Sequence, residues 1–408
     1  MRSVFLTKVL ALGLAVAVSL PAVAKDDKNK KAAPEGFKFT DEVVVKTTSV
    51  KDQSRSGTCW SFAATGLLEA ELLRMGKGEY DLSEMYFVRQ NYHDKAETYV
   101  RFQGKVNFAG GGSFSDVFSV LSKYGALPEE AYRGLEYGED THVHGELDDV
   151  SLAYVNAVLR SGNKRLSTAW LRGFDGILDA YLGVVPTQVT YKGASYSAKS
   201  FAEHLGIKAS DYVSFTSFNH HPFYEKFILE IPDNWRRNSD YNVPLEDMIA
   251  IIDNALKSGY TVGWGSDVSE PGFIYRKGFA VVPSETAEEL SGSEELKWAD
   301  MSVSKKRARL EEINGPVPQA KVTQEMRQVA FDRQETTDDH GMLIVGIAKD
   351  QKGNKYYKVK NSWSASGVYG GYFYASEEFV KYKTLDIVVH RDAVPSSVAQ
   401  KLGNGFTK

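Results

Sequence analysis

The single cysteine among 408 residues, Cys59, lies in Gln53-Ser-Arg-Ser-Gly-Thr-Cys59-Trp60-Ser-Phe, behind a glycine turn and at the start of an apolar helical pattern. Alone, a free thiol is most simply a small buried hydrophobe. At a helix N-terminus beside an imidazolium it becomes a thiolate nucleophile, because both lower its pKa. The histidine must come from elsewhere, and His340 heads the apolar run His340-Gly-Met-Leu-Ile-Val-Gly-Ile-Ala. Asn361, in Lys-Asn361-Ser-Trp363, can fix the ring tautomer through the other ring nitrogen, with Trp363 shielding that bond from water. Gln53, across a Ser-Gly turn from Cys59, can offer its amide, together with the backbone N–H of Cys59, to a developing oxyanion. The chemistry these residues define is acyl transfer through a thioester. Asp338 and Asp339 precede the histidine; a solvated loop is their plainer reading. The alternative is that one of them, Asp339 in particular, attracts a substrate's amino group or raises the imidazole pKa.

The elements that must position these groups follow from periodicity. Trp60, Ala63, Ala64, Leu67, Leu68, Leu72 and Met75 recur at helical spacing and stop at Gly76 and Gly78, with Thr58 able to cap the start. A second helix opens at Ser83, and a third runs through Phe-Ser-Asp-Val-Phe-Ser-Val-Leu after the loop Gly110-Gly111-Gly112. Residues 151–183 and 244–259 read as helical, followed by an apolar strand at 261–268. Residues 285–322 turn polar and read as a solvated connection. Near the C-terminus two strands joined by a Gly-Asn turn bring His340 within about two residues of Asn361.

Composition, at 42% hydrophobic and 25% charged, describes a globular chain, and a net charge of −4 argues against a nucleic-acid or membrane-surface role. Arg2 and Lys8, the apolar run from Val9 to Leu20 and Ala22-Val-Ala24 read as a secretory signal cut after Ala24, since a membrane span needs roughly 20 apolar residues. The expected product is periplasmic or secreted, off the membrane once cut, and without a cysteine to carry a lipid. Residues 25–40 read as a flexible lead-in. His142-Val-His144 and His220-His221 have no cysteines near them and no His-Glu-x-x-His occurs, so neither a metal nor any other cofactor is expected.

The segment around Cys59, the His340 strand, and Lys-Asn361-Ser-Trp363 followed by Gly-Gly-Tyr-Phe-Tyr-Ala-Ser resemble the nucleophile, histidine and asparagine segments of papain-like cysteine peptidases, in family order. The interval from Cys59 to His340 far exceeds that of an ordinary member and is similar to that of the bleomycin hydrolase or aminopeptidase C branch. The likeness runs from Val43 to Val394 but is weak through about residues 140–240. It implies an α+β, papain-like two-lobed fold, with a helical left lobe and a β-barrel-like right lobe. In this layout one peptidase domain spans 41–394, with insertions at about 140–335 and a tail at 395–408. It also implies Cys59 as nucleophile, His340 as general acid/base, Asn361 as orienting residue and Gln53 as oxyanion donor, with Gly111 and Gly112 lining the pocket beside the scissile residue. Peptide substrates cut from the N-terminus and a homohexamer follow from the same resemblance. Members of the branch close their cleft with a C-terminal arm, and the tail here, ending at Lys408, reads as shorter. An open-cleft endopeptidase or dipeptidyl-type peptidase is therefore the alternative, and a non-catalytic scaffold a remoter one.

Overall fold

Trp60 to Leu72 are buried without interruption, so the first helix, α1 (Cys59–Arg74), is a central element rather than an amphipathic surface one. The structure, a computed structural model, describes residues 36–162, 164–284 and 310–403 together with Lys305, Ala308 and Phe406. The signal segment, the lead-in as far as residue 35, residues 285–304 of the polar connection and Lys408 lie outside the described residues.

One strand, β1 (Thr40–Val44), precedes α1, and the helical lobe continues through α2 (Glu84–Arg101), α3 (Phe114–Tyr124), α4 (Gly145–Leu159) and α5 (Trp170–Leu182). A small hairpin, β2 (Val189–Tyr191) and β3 (Ala194–Tyr196), and α6 (Ala198–Leu205) complete it. The stretch 151–183 is thus two helices, interrupted around Gly162. Next come β4 (Tyr212–Thr216), β5 (Lys226–Ile228), β6 (Ser239–Asn242), α7 (Leu245–Lys257) and β7 (Val262–Ser266). After β8 (Phe273–Ile274), β9 (Phe279–Ala280) and α8 (Gln324–Asp332), the chain enters β10 (His340–Lys349), β11 (Lys355–Lys360) and β12 (Tyr372–Ser376). The described chain closes with α9 (Glu377–Lys383), β13 (Thr384–His390) and α10 (Ser396–Lys401).

Among the described residues, eleven strands form one sheet in the order β5-β6-β4-β13-β7-β10-β11-β12-β9-β8, with β1 also paired to β10. The fold is α+β and papain-like, with two main cores. One joins α1, α2, α3, α5 and α6 around Trp60, Phe87 and Phe174; the other packs α7 and α9 on the sheet around Trp264, Ile252 and Phe379.

Strand β10 touches both cores. Leu343 and Val345 enter the helical core, whereas Met342, Ile344 and Ile347 enter the other. The alternation breaks because Val345 is an extra residue: Ile344 pairs with Val359, but Gly346 pairs with Lys358. Since a one-residue slip exchanges the faces of a strand, this bulge puts His340 on the same face as Asn361, opposite the residue two places along from it.

Candidate active site

Cys59, a free thiol, is the first residue of α1. Thr58 stands at the cap, but its side chain makes no capping bond to the helix; the hydroxyl instead pairs with Ser56 Oγ at 2.5 Å, which ties the turn to itself. Gly57 packs beside the Gly110 backbone, which a Cβ at this position would meet at 3.4 Å, an ordinary contact. Trp60 Nε1 donates to Gly110 O at 3.0 Å, so the Gly110–Gly112 loop walls the groove beside the thiol.

Across the groove, the Gly341 amide donates to Cys59 Sγ at 3.4 Å, bringing the thiol to the residue after His340. His340 Nε2 lies 2.8 Å from Asn361 Oδ1. That oxygen also accepts the Ser362 amide at 2.8 Å, which fixes the orientation of the side chain, so Nε2 carries the proton and Nδ1 is the basic nitrogen. Trp363 stacks on the imidazole at 4.8 Å and 28°. Gln53 is held from three sides: its amide N–H donates to Ser362 O (2.9 Å), its Oε1 accepts Ser362 Oγ (2.7 Å), and its Nε2 donates to Ser56 O (2.8 Å). The residue thus links the asparagine segment to the loop that delivers Cys59, with one Nε2 hydrogen committed.

Burial pushes the Cys59 thiol up to about 12, against the lowering effect of the Gly341 amide, and Asp233 and Asp338 raise it further. Burial likewise takes His340 down to about 4, opposed by Asn361 and Asp339. This differs from the depressed thiol pKa expected for a helix N-terminus. Removal from water penalises each charge when it forms alone. A proton passed from Sγ to the imidazole creates both charges together, and each then offsets the other's desolvation beside the positive end of α1.

Asp339 is exposed and accepts the Ser269 amide at 2.9 Å and the Thr337 hydroxyl at 2.9 Å. Asp338 is the member of the pair that acts on the thiol electrostatically, and burial, then the charges of Asp233 and Asp386, raise it to about 8. Gly111 and Gly112 border the groove, and a side chain at 111 would overlap the Asp233 carboxylate. Sequence reasoning missed Asp233: it lies in Ile231-Pro-Asp-Asn-Trp-Arg, where resemblance is weakest, and no spacing rule ties it to Cys59. Among the described residues, His220, His221 and Glu230 form one group with metal-ligand spacing and His93, Asp94 and Glu97 another.

This geometry can be set beside known proteins. The model of the papain family cysteine protease matches residues 33–165, and that of the peptidase C1-like family matches residues 320–407. The chain is a papain-like cysteine peptidase. It is 23% identical to aminopeptidase C of Streptococcus thermophilus, covering 87% of this chain and 83% of that protein. Aminopeptidase C of Lactococcus lactis is also 23% identical, over 84% of this chain and 80% of its own. The solved structure of PepW from Lactobacillus rhamnosis HN001 superposes with a TM-score of 0.66 at 18% identity, covering 90% of this chain and 86% of that one. Within such peptidases, the chain is similar to the aminopeptidase C proteins over most of its length.

Proposed function

We propose that the chain is an exported cysteine aminopeptidase that releases N-terminal residues from short peptides. The observation that carries this reading is the convergence on one groove of Cys59 Sγ, the Gly341 amide and the His340–Asn361 pair. The aminopeptidase part draws on the names of the relatives, and the exported part on the signal-like sequence of residues 1–24.

In this mechanism His340 Nδ1 takes the Cys59 proton, and Sγ attacks the first peptide carbonyl. The oxyanion forms against the backbone N–H of Cys59 and the amide of Gln53. Collapse expels the leaving amine, which receives the proton from His340, and leaves a thioester. Water then gives its proton to the same imidazole and its oxygen to the acyl carbon, which frees the amino acid and the thiol. Asn361 Oδ1 keeps the ring in the productive tautomer, and Trp363 covers that bond. None of these steps requires a metal. The resemblance also implies a homo-oligomer, which light scattering on the purified protein measures.

The test uses the mature protein and Cys59→Ala, under reducing conditions, on one peptide with a free N-terminus and its N-acetylated twin, with products read by mass. Release of single N-terminal residues, far faster from the free peptide than from its acetylated twin and lost in the variant, supports the reading. Internal cuts in both peptides replace it with an endopeptidase, and cleavage that survives in the variant removes Cys59 from the mechanism.

A further inference from the structure

The segment Ile231–Asn238 bridges helices α2 and α3 and the loop that leads into β10. On the helical side Trp235 Nε1 donates to Asp116 Oδ2 at 3.1 Å, and Arg236 bonds Asp116 Oδ1 (2.7 Å), Asp94 Oδ2 (2.8 Å) and Asn91 Oδ1 (2.9 Å). On the other side the Asp233 amide donates to Asp338 Oδ2 at 3.2 Å, two residues before His340. Trp235 is buried, so the crossing is packed as well as bonded.

At its centre the Asp233 carboxylate is held over the glycine wall. Asn107 Nδ2 donates to Oδ1 at 3.0 Å, and the Gly112 amide also donates to the carboxylate. Its other oxygen occupies the space where a side chain on residue 111 would stand. Among the described residues, neither Asp233 nor Asp338 forms an ion pair. The nearby Lys95 ammonium is instead taken by the carbonyls of Ala109 and Gly111, at 2.8 and 2.5 Å. Both carboxylates act electrostatically on the Cys59 thiol, so they stand near it and not at a remote surface. A chain extended past Gly111 and Gly112 meets a carboxylate, and finds the Gly112 amide already bonded.

We infer that Asp233, with Asp338 beside it, is the subsite for the substrate's α-ammonium, and that the crossing segment ends the groove one residue before the scissile bond. This rests on the aminopeptidase reading and identifies which part of this chain sets the register. A free ammonium donates charge-assisted hydrogen bonds into the acceptor positions that Asn107 and Gly112 leave open on the carboxylate. An acylated N-terminus brings no charge and strands the carboxylate away from water.

The experiment compares kcat/KM of wild type, Asp233→Asn and Asp338→Asn on the free and N-acetylated peptides, with thermal melts to confirm folding. Loss of a charged hydrogen bond predicts that Asp233→Asn falls about 10- to 100-fold on the free peptide, chiefly through KM, and changes little on the acetylated one. Asp233→Gly, which clears the space beside Gly111, is expected to release dipeptides as well. Equal losses on both peptides, or none on the free one, would overturn the inference while leaving the aminopeptidase reading intact. Internal cleavage by the wild type would overturn both. Asp338→Asn keeps the test decisive if the Asp233 variants do not fold: a free-peptide-specific loss supports the subsite and an unselective one overturns it.

Discussion

At the scale of single residues, the proposed mechanism divides the site into groups that attack or exchange protons and groups that aim them. Cys59→Ala is expected to abolish turnover while leaving the melting temperature almost unchanged, because the thiol's polar contacts are weak bonds from the Gly341 and Trp60 amides. Asn361→Ala frees His340 Nε2 to exchange tautomers, and should lower kcat up to about 100-fold with little change in KM; a pure KM effect would remove Asn361 from the orienting role. Cys59, His340, Asn361 and Gln53 were legible in the sequence because each sits in a short motif bounded by an apolar run or a glycine turn. Asp233 was not: its relation to the thiol depends on Trp235 and Arg236 finding Asp116, Asp94 and Asn91, on helices far away in sequence. The pKa directions were also hidden, since burial of the thiol and imidazole is a property of the closed groove.

Elements deliver these residues through contacts that the local pattern does not announce. Lys51, just before Gln53, reaches Glu69 on α1 (3.1 Å), Glu84 on α2 (2.6 Å) and Asp81 (2.6 Å), so one ammonium fastens the Gln53 loop to two helices. Glu69 and Glu84 are almost wholly buried, and Lys51→Met would leave two carboxylates without their counter-charge. A cost of about 3–5 kcal/mol is expected, read as a lower urea midpoint with unchanged slope. A shift under about 1 kcal/mol would mean that Thr48 and the Leu82 amide suffice for Glu69. Helices α1, α2, α3 and α7 were predictable because their apolar residues recur with a 3.6 period between caps and glycines. The helical prediction over 151–183 ran through a break, since apolar residues resume at Trp170 in phase with a second helix.

For the whole molecule, the sheet carries a pair of carboxyls that makes its stability depend on pH. Burial, the first cause for both, raises Asp240 to about 7 and Asp386 to about 8, with the charge of Asp240 adding to the latter. A folded pKa above the unfolded value means that the native chain holds protons the unfolded chain has released. The stabilisation is therefore complete below about pH 4 and is lost as pH rises through 7 to 8. Asp240→Asn removes one proton from that account, so its melting temperature relative to wild type should rise between about pH 5 and pH 8.5. A difference independent of pH would contradict the pairing. Little of this larger plan was visible in sequence, because β4, β5 and β6 are short and join the sheet through β13, more than a hundred residues later. The bulge in β10 makes the enzyme sensitive to register as well as to residue type. A chain in which Val345 took up the pairing with Val359 would keep every side chain of the site, yet would turn His340 away from Asn361 and present Gly341 in its place. The unpaired place of Val345 in the ladder is thus as much a requirement of the site as the identity of Cys59, and a one-residue slip of β10 against β11 would dismantle the arrangement while every named site residue remained.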